Sequence, residues 1–408
     1  MTAVMGGIRI LEVAEHTFVP AASAILSDWG ADVIKIEPAE RGDAMRGIMS
    51  TGGLGLGGSD GWHPLLEHSN RGKRSIGLDL STAEGVEIVH KLAATCDVFL
   101  TNKLPAVRAK LHIDVDDIRA VNPNIVYVRG SGYGSKGPDA DRGGYDVLGY
   151  WCRSGVAYGA KPVEVDTITA QPGPAYGDSI GAMTIAGGIA AALLHRARTG
   201  EAPVVDVSLL ATGMWAMGAG IALSHELNHP WGQMPAGTDV GNPLTATYRT
   251  SDGGTLQLAC LQGFHYWSET CRVTGLDELI ADERFRDAEA FAAHTSEARA
   301  ILADRFASET LAEWKQRLAD FRGQWAPVQD PIEVMSDPQV LANGYIVKAQ
   351  SPSGAEHPLV ATPVQFDGSP SPTRRAPQFN EHGDAILTED LGLDWDAVVE
   401  LKVKGVVA

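Results

Sequence analysis

Ile8 to Val13, Ala21 to Trp29 and Asp32 to Ile36 follow one another as a strand, a small-residue helix stopped by Gly30, and a second strand. A helix placed between two apolar strands returns the chain to a parallel neighbour, so this opening predicts a parallel sheet with helices packed on it. The rhythm continues. Ser75 to Leu80 is strand-like, Ser81-Thr82-Ala83-Glu84 has the S/T-x-x-E form of a capping box before a helix through Ala94, and Asp97 to Thr101 is a further strand. Asp114 to Val121 reads as a short helix, and Ile125 to Val128 as a strand running into Gly130-Ser131-Gly132-Tyr133-Gly134. The expected fold class is α/β, with residues 1–200 forming a large Rossmann-like domain.

Past a linker expected over 201–243, the pattern changes. Thr245 to Thr250 and Thr255 to Cys260 make a strand pair around the turn Ser251-Asp252-Gly253-Gly254. Leu311, Trp314 and Leu318 fall on one face of a helix over Glu309 to Leu318. Residues 244–326 are therefore read as a smaller α/β domain. From 327 to 408 the chain is richer in proline but never low in complexity. An ordered segment wrapping back onto the large domain, with a last short helix around Asp394 to Leu401, is expected.

Composition narrows the function. A formal charge of −18 over 408 residues argues against a nucleic-acid surface and against anionic membranes, both of which reward clustered Lys and Arg. The four cysteines have no CxxC spacing and are too few for a disulfide framework, so a reducing cytoplasm is the expected location. No signal peptide is read at the amino end, and the uncharged run Val207 to Leu223 is expected to be a buried core helix. His225-Glu226-Leu227-Asn228-His229 matches HExxH, but Pro230 disfavours helix at the second imidazole, so no metal is expected. The GxGxxG within Thr51 to Gly58 does not follow the first strand and is read as a surface loop.

Two stretches carry candidate chemistry. Asn70-Arg71-Gly72-Lys73-Arg74-Ser75 gathers three cations before a strand, as a phosphate site or a solvated turn would. Tyr176-Gly177-Asp178-Ser179-Ile180 sets a carboxylate among small residues at the mouth of a helix whose run from Ile180 to Leu194 is apolar or small on every face, hence buried. An Asp there suits an N-cap, kept ionised by the helix dipole, and equally a nucleophile awaiting an electrophile.

These landmarks come in a familiar order. Gly7-Ile8-Arg9-Ile10-Leu11, Trp29-Gly30-Ala31-Asp32-Val33-Ile34-Lys35-Ile36-Glu37, Gly42-Asp43 with Arg46-Gly47, the basic turn, Asn122-Pro123, Gly177-Asp178-Ser179, Ala326-Pro327-Val328 and Asp337-Pro338 resemble the class III CoA-transferases. This CaiB/BaiF family includes formyl-CoA and carnitine CoA-transferases and the α-methylacyl-CoA racemases, and the resemblance spans nearly the whole chain.

The resemblance implies that Asp178 attacks an acyl-CoA thioester to give a mixed anhydride, then an aspartyl-CoA thioester, from which a free carboxylic acid takes the CoA. By position it implies CoA contacts at Thr17, Lys73, Arg74, Asn102, Lys110, Leu111, Arg142 and Tyr145. It further implies an interlocked homodimer, acyl-CoA and an acid as substrates, and no tightly bound cofactor. Two positions depart from the family pattern: Phe18-Val19-Pro20 replaces Ala-Gly-Pro, and Pro38 stands where some members have a base. A racemase reading is disfavoured because Tyr145 replaces that branch's histidine, and a phenol is a poor base near neutrality. A non-catalytic acyl-CoA-binding role is disfavoured by the retention of Asp178.

Overall fold

The computed structural model describes residues 3–51, 53–56, 60–232 and 241–408. They form two compact units. The first comprises residues up to 161, 167–232 and 338–408, and the second 162–166 and the described part of 233–337.

The first unit is built on a sheet of β1 (Arg9–Val13), β2 (Asp32–Pro38), β3 (Arg74–Leu78), β4 (Val98–Thr101), β5 (Val126–Ser131) and β6 (Val204–Ser208). Their order is β3-β2-β1-β4-β5-β6, and all five pairings are parallel. This is the doubly wound order, whose direction of winding reverses between β1 and β4. Both faces are covered, so successive side chains enter two cores. Ile10, Val98, Leu100, Val126 and Val128 pack under α1 (Phe18–Asp28) and α6 (Tyr176–Thr199). Leu11, Phe99 and Tyr127 face the other way, against α3 (Ala83–Ala93), α5 (Val115–Val121) and α11 (Trp395–Val403). Continuous apolar strands are what two-sided burial requires. Between α1 and β3 runs α2 (Pro64–Asn70), and α4 (Pro105–Lys110) follows β4.

Several expectations are corrected. The cap of α3 is Thr82, whose hydroxyl accepts from Gly85 N–H, while Ser81 bonds back to Asp79. The apolar helix α6 buries one face only: Ile185, Ala186 and Ile189 are inside, whereas Ile180 and Leu194 are 39% and 52% exposed. Glycine and alanine at many positions let it pass for apolar all round. Val207 to Leu223 is not one buried helix. It is the end of β6, then α7 (Leu209–Ala216) and α8 (Gly218–Leu227), with Trp215 88% exposed and no residue of α8 buried. α8 stops at Leu227 with Asn228 left-handed at φ 48°, so His225 and His229 do not share a helix face. Part of the glycine-rich run (52 and 57–59) and most of the stretch 231–243 (233–240) lie outside the described residues.

Beneath the sheet's carboxyl edge lies a dry charge network. Glu12 on β1 takes Lys35 Nζ at 2.8 Å and Lys73 Nζ at 2.8 Å, and all three side chains are wholly buried. Lys35 also meets Asp43 at 2.7 Å, and Asp43 in turn accepts from His16 N–H at 3.0 Å. Each ammonium has three oxygen partners. Full pairing is the condition under which buried charge is tolerated.

In the 338–408 segment, β10 (Ile346–Gln350) pairs antiparallel with β11 (Glu356–Val360), and Val406–Ala408 returns to the β3 edge. The second unit has an antiparallel sheet in the order β9-β8-β7 from β7 (Thr247–Arg249), β8 (Thr255–Leu258) and β9 (Trp325–Pro327). Its aromatic core includes Trp267 from α9 (Gly263–Thr274), Trp314 from α10 (Leu311–Arg317), Phe285 and Phe306.

Candidate active site

In a doubly wound sheet, the loops leaving β1 and β4 part in opposite directions and open a crevice at the carboxyl ends of the strands. A cleft of about 690 Å³ occupies that crevice here. Glu15, His16 and Phe18 follow β1. Asn102 to Pro105 follow β4, and Gly130, Ser131, Gly132 and Gly134 end and follow β5; Asp178 enters from the first turn of α6. Asn102 joins the two diverging loops, donating to Glu15 O at 2.7 Å and accepting from Glu15 N–H at 3.2 Å. His16 takes φ 68°, its backbone held by Asp43, and its ring stands edge-on to Tyr145 at 5.7 Å. The cleft's cations are paired: Lys103 with Glu15, Arg108 with Asp114 at 3.1 Å, and Arg129 with Asp206 through two bonds of 2.7 and 2.8 Å.

The start of α6 differs from a simple cap. The helix begins at Tyr176, after Ala175 in left-handed backbone at φ 58°, and Asp178 is its third residue. The carboxylate on the free amides is Asp146, which accepts from Gly177 N–H at 3.1 and 3.2 Å. The expectation of Asp178 as the cap is thus overturned: Asp146 takes that place and occupies the Gly177 N–H. Nor does the helix end hold Asp178 ionised at all pH. Burial, reinforced by the negative charge of Asp146, pushes it up to about 7. Beside it, Ser179 Oγ donates to Ala175 O at 2.8 Å, so the His68 Nε2 that lies 3.0 Å away donates to Ser179. His68 is neutral, its basicity lowered to about 4 by burial and then by Arg71.

A family model for CoA-transferase family III matches residues 5–383. The chain belongs to CoA-transferase family III. Among family III CoA-transferases it is similar to the (R)-2-hydroxy-4-methylpentanoate CoA-transferase of Clostridioides difficile, 31% identical over 404 residues that cover 98% of each chain. It is 30% identical over 408 residues to the succinyl-CoA:glutarate CoA-transferase of Homo sapiens, covering 98% of this chain and 89% of that one. A crystal structure of a CaiB/BaiF family protein from Brucella suis matches the fold with a TM-score of 0.81 at 28% identity, covering 95% of this chain and 100% of the other. This chain is therefore an enzyme, of a family whose substrates are CoA thioesters and acids.

In this family III CoA-transferase, Asp178, Asn102 and Tyr145 line one cleft. The other residues expected to contact CoA lie elsewhere. Thr17 is buried before α1, and Lys73 is enclosed with Glu12, Asn70 Oδ1 and Pro20 O. Burial, opposed by Glu12, brings Lys73 down to about 7. Arg74 opens β3, at the end of the strands away from the cleft, paired with Asp32 and Asp390 at 2.6 Å each. Lys110 is on the surface at the end of α4, and Arg142 is exposed beside Asp139 at 3.5 Å. Leu111 lines a second cleft, of about 660 Å³, with Glu37 to Glu40, Leu78 to Ser81 and Ala408; Lys103 borders both clefts.

The departures at Phe18 and Val19 are explained by packing. Val19 is fully buried and lies where a Cβ on Gly130 would be, 2.2 Å from it. Phe18 occupies the space over Gly181 of α6, where a Cβ would come within 2.3 Å. Bulk gained on α1 fills hollows left by glycines on β5 and α6. The sequence reading missed Glu15, His16, Lys103, Arg129 and Asp206; the available signal for Glu15, His16 and Lys103 was position, since each sits just past the carboxyl end of a parallel strand, whereas Arg129 and Asp206 are paired across two neighbouring strands.

Proposed function

We propose that this enzyme moves CoA from an acyl-CoA thioester to a free carboxylic acid, with Asp178 as the nucleophile. The observation that carries the reading is Asp178 entering the switch-point cleft, half-buried and poised near neutrality. An ionised Asp178 oxygen attacks the thioester carbonyl carbon, and CoA leaves as the thiolate. The thiolate then attacks the Asp178 carbonyl carbon of the mixed anhydride, expelling the donor acid and leaving an aspartyl-CoA thioester. The acceptor carboxylate attacks that carbon, the thiolate departs again, and its return to the acceptor's carbonyl carbon frees Asp178. No step consumes water, and exclusion of water conserves the thioester.

CoA in this reading runs from the second cleft past Lys103 to Asp178. Lys103 exchanges Glu15 for a phosphate oxygen, and Glu15 keeps Arg41 at 2.7 Å and the Ala44 N–H at 3.1 Å as partners. A raised acyl-CoA KM in Lys103→Ala, about tenfold with kcat retained, tests that path. The exposed apolar residues Ile180, Leu194 and Trp215 fit a homodimer, which light scattering would reveal as twice the chain mass.

Asp178→Ala abolishes transfer and the covalent adduct while CoA binding persists, measured with a panel of acyl-CoA donors and free acids by mass spectrometry. Full transfer by that variant would sink the mechanism. The racemase reading has one observation in its favour, the His16 imidazole set against Tyr145 in the same cleft. It requires deuterium from solvent at the α-carbon of recovered acyl-CoA, and the transfer reading requires none.

A further inference from the structure

Asp146 meets the start of α6 through both oxygens of its carboxylate. It is 7% exposed, both oxygens face Gly177 N–H, and Oδ2 also accepts from Gln171 Nε2 at 3.1 Å. A Cβ on Gly177 would lie 2.4 Å from Asp146 Oδ1 and 2.2 Å from the Tyr150 ring, so glycine there makes room for this contact. We propose that Asp146 is a positioning residue of the transfer reaction: it fixes the backbone that carries Asp178 and sets a like charge beside that turn. The proposal rests on the reading of Asp178 as nucleophile.

The surroundings leave Asp146 in that role. From α2, His68 meets the first turn through Ser179 and is neutral. From the turn of Val147–Cys152, Tyr150 is held above the ordinary tyrosine range by burial and then by Tyr176 and Asp146, and is neutral too. From α1, Phe18 brings no charge. The cleft cations Lys103, Arg108 and Arg129 are each engaged by another carboxylate. Asp146, itself held above the ordinary aspartate range by burial against the opposing Gly177 N–H, is the like charge acting on Asp178 among the described residues.

Two variants separate positioning from charge. Asp146→Asn keeps an oxygen for Gly177 N–H and removes the charge; Asp146→Ala removes both. The readouts are steady-state kinetics and the Asp178 adduct, trapped with hydroxylamine from pH 5 to 9 and measured by peptide mass spectrometry. The wild type is expected to form adduct with a midpoint near 7. In Asp146→Asn the midpoint falls by about one unit, with kcat at pH 9 retained. In Asp146→Ala, kcat drops at least about tenfold with the acyl-CoA KM little changed. An Asn profile superimposed on a wild type that forms adduct overturns this inference alone. A wild type without adduct overturns the nucleophile reading and this inference with it. Should the Ala variant fail to fold, the Asn profile still decides.

Discussion

At Asp178, reactivity and folding pull in opposite directions. A carboxyl whose value rises from 3.8 to about 7 is protonated more readily in the folded chain than in the unfolded one. Its contribution to stability is complete below about pH 4 and is lost as pH climbs through about 7. Asp178→Asn, neutral throughout, should match the wild type in unfolding free energy from urea titration at pH 4 and exceed it by about 2 kcal/mol at pH 8, after discounting for partial exposure. Equal midpoints at pH 8 would show that the ionised carboxylate is well solvated in the fold. The sequence made Asp178 visible because glycine and serine flank it at a helix mouth. Asp146 stood in plain view in Gly144-Tyr145-Asp146, but its role depends on a contact across 31 positions of chain. Lys73 and Arg74 show the converse: a basic run announces cations without saying which way they point. Lys73 turns inward to Glu12, and Arg74 lies at the amino end of its strand.

Elements show the same division. Strands and helices of the sheet were legible because burial on both faces forces continuous apolar runs, and Gly200, a residue that tolerates left-handed backbone, ends α6 at φ 80°. What a linear pattern could not supply was which face of α6 is covered. That information resides in the partners of its glycines: Gly181 lies under Phe18, and Gly177 under Tyr150 and Asp146. Gly177→Ala should therefore displace the first turn rather than lengthen the helix, with a loss of about 2–4 kcal/mol in chemical denaturation and near-complete loss of transfer. Wild-type activity in that variant would mean that the first turn tolerates movement, and that its placement does not govern the chemistry.

Across the molecule, the buried network of Glu12, Lys35, Lys73 and Asp43 joins the strands β1 and β2 to the backbone of His16 at the cleft wall. Such networks set geometry more than stability. Removing one member leaves charge without a counterpart, and Lys73→Ala should cost about 3–5 kcal/mol in chemical denaturation. A smaller loss would point to water entering the site.

The return of Val406–Ala408 to the sheet bears on how the protein behaves at high concentration. β3 is the outermost strand, and its outward groups are met by other parts of the chain: Gly77 O by Ala408 N–H, Asp79 N–H by Val406 O, Ser75 O by His382 N–H, and Gly77 N–H by the Asn380 side chain. A strand edge left bare is a template on which further chains can add. A stop after Val403 would remove part of this cover, and the shortened protein should form β-rich aggregates on concentration while the full chain stays clear.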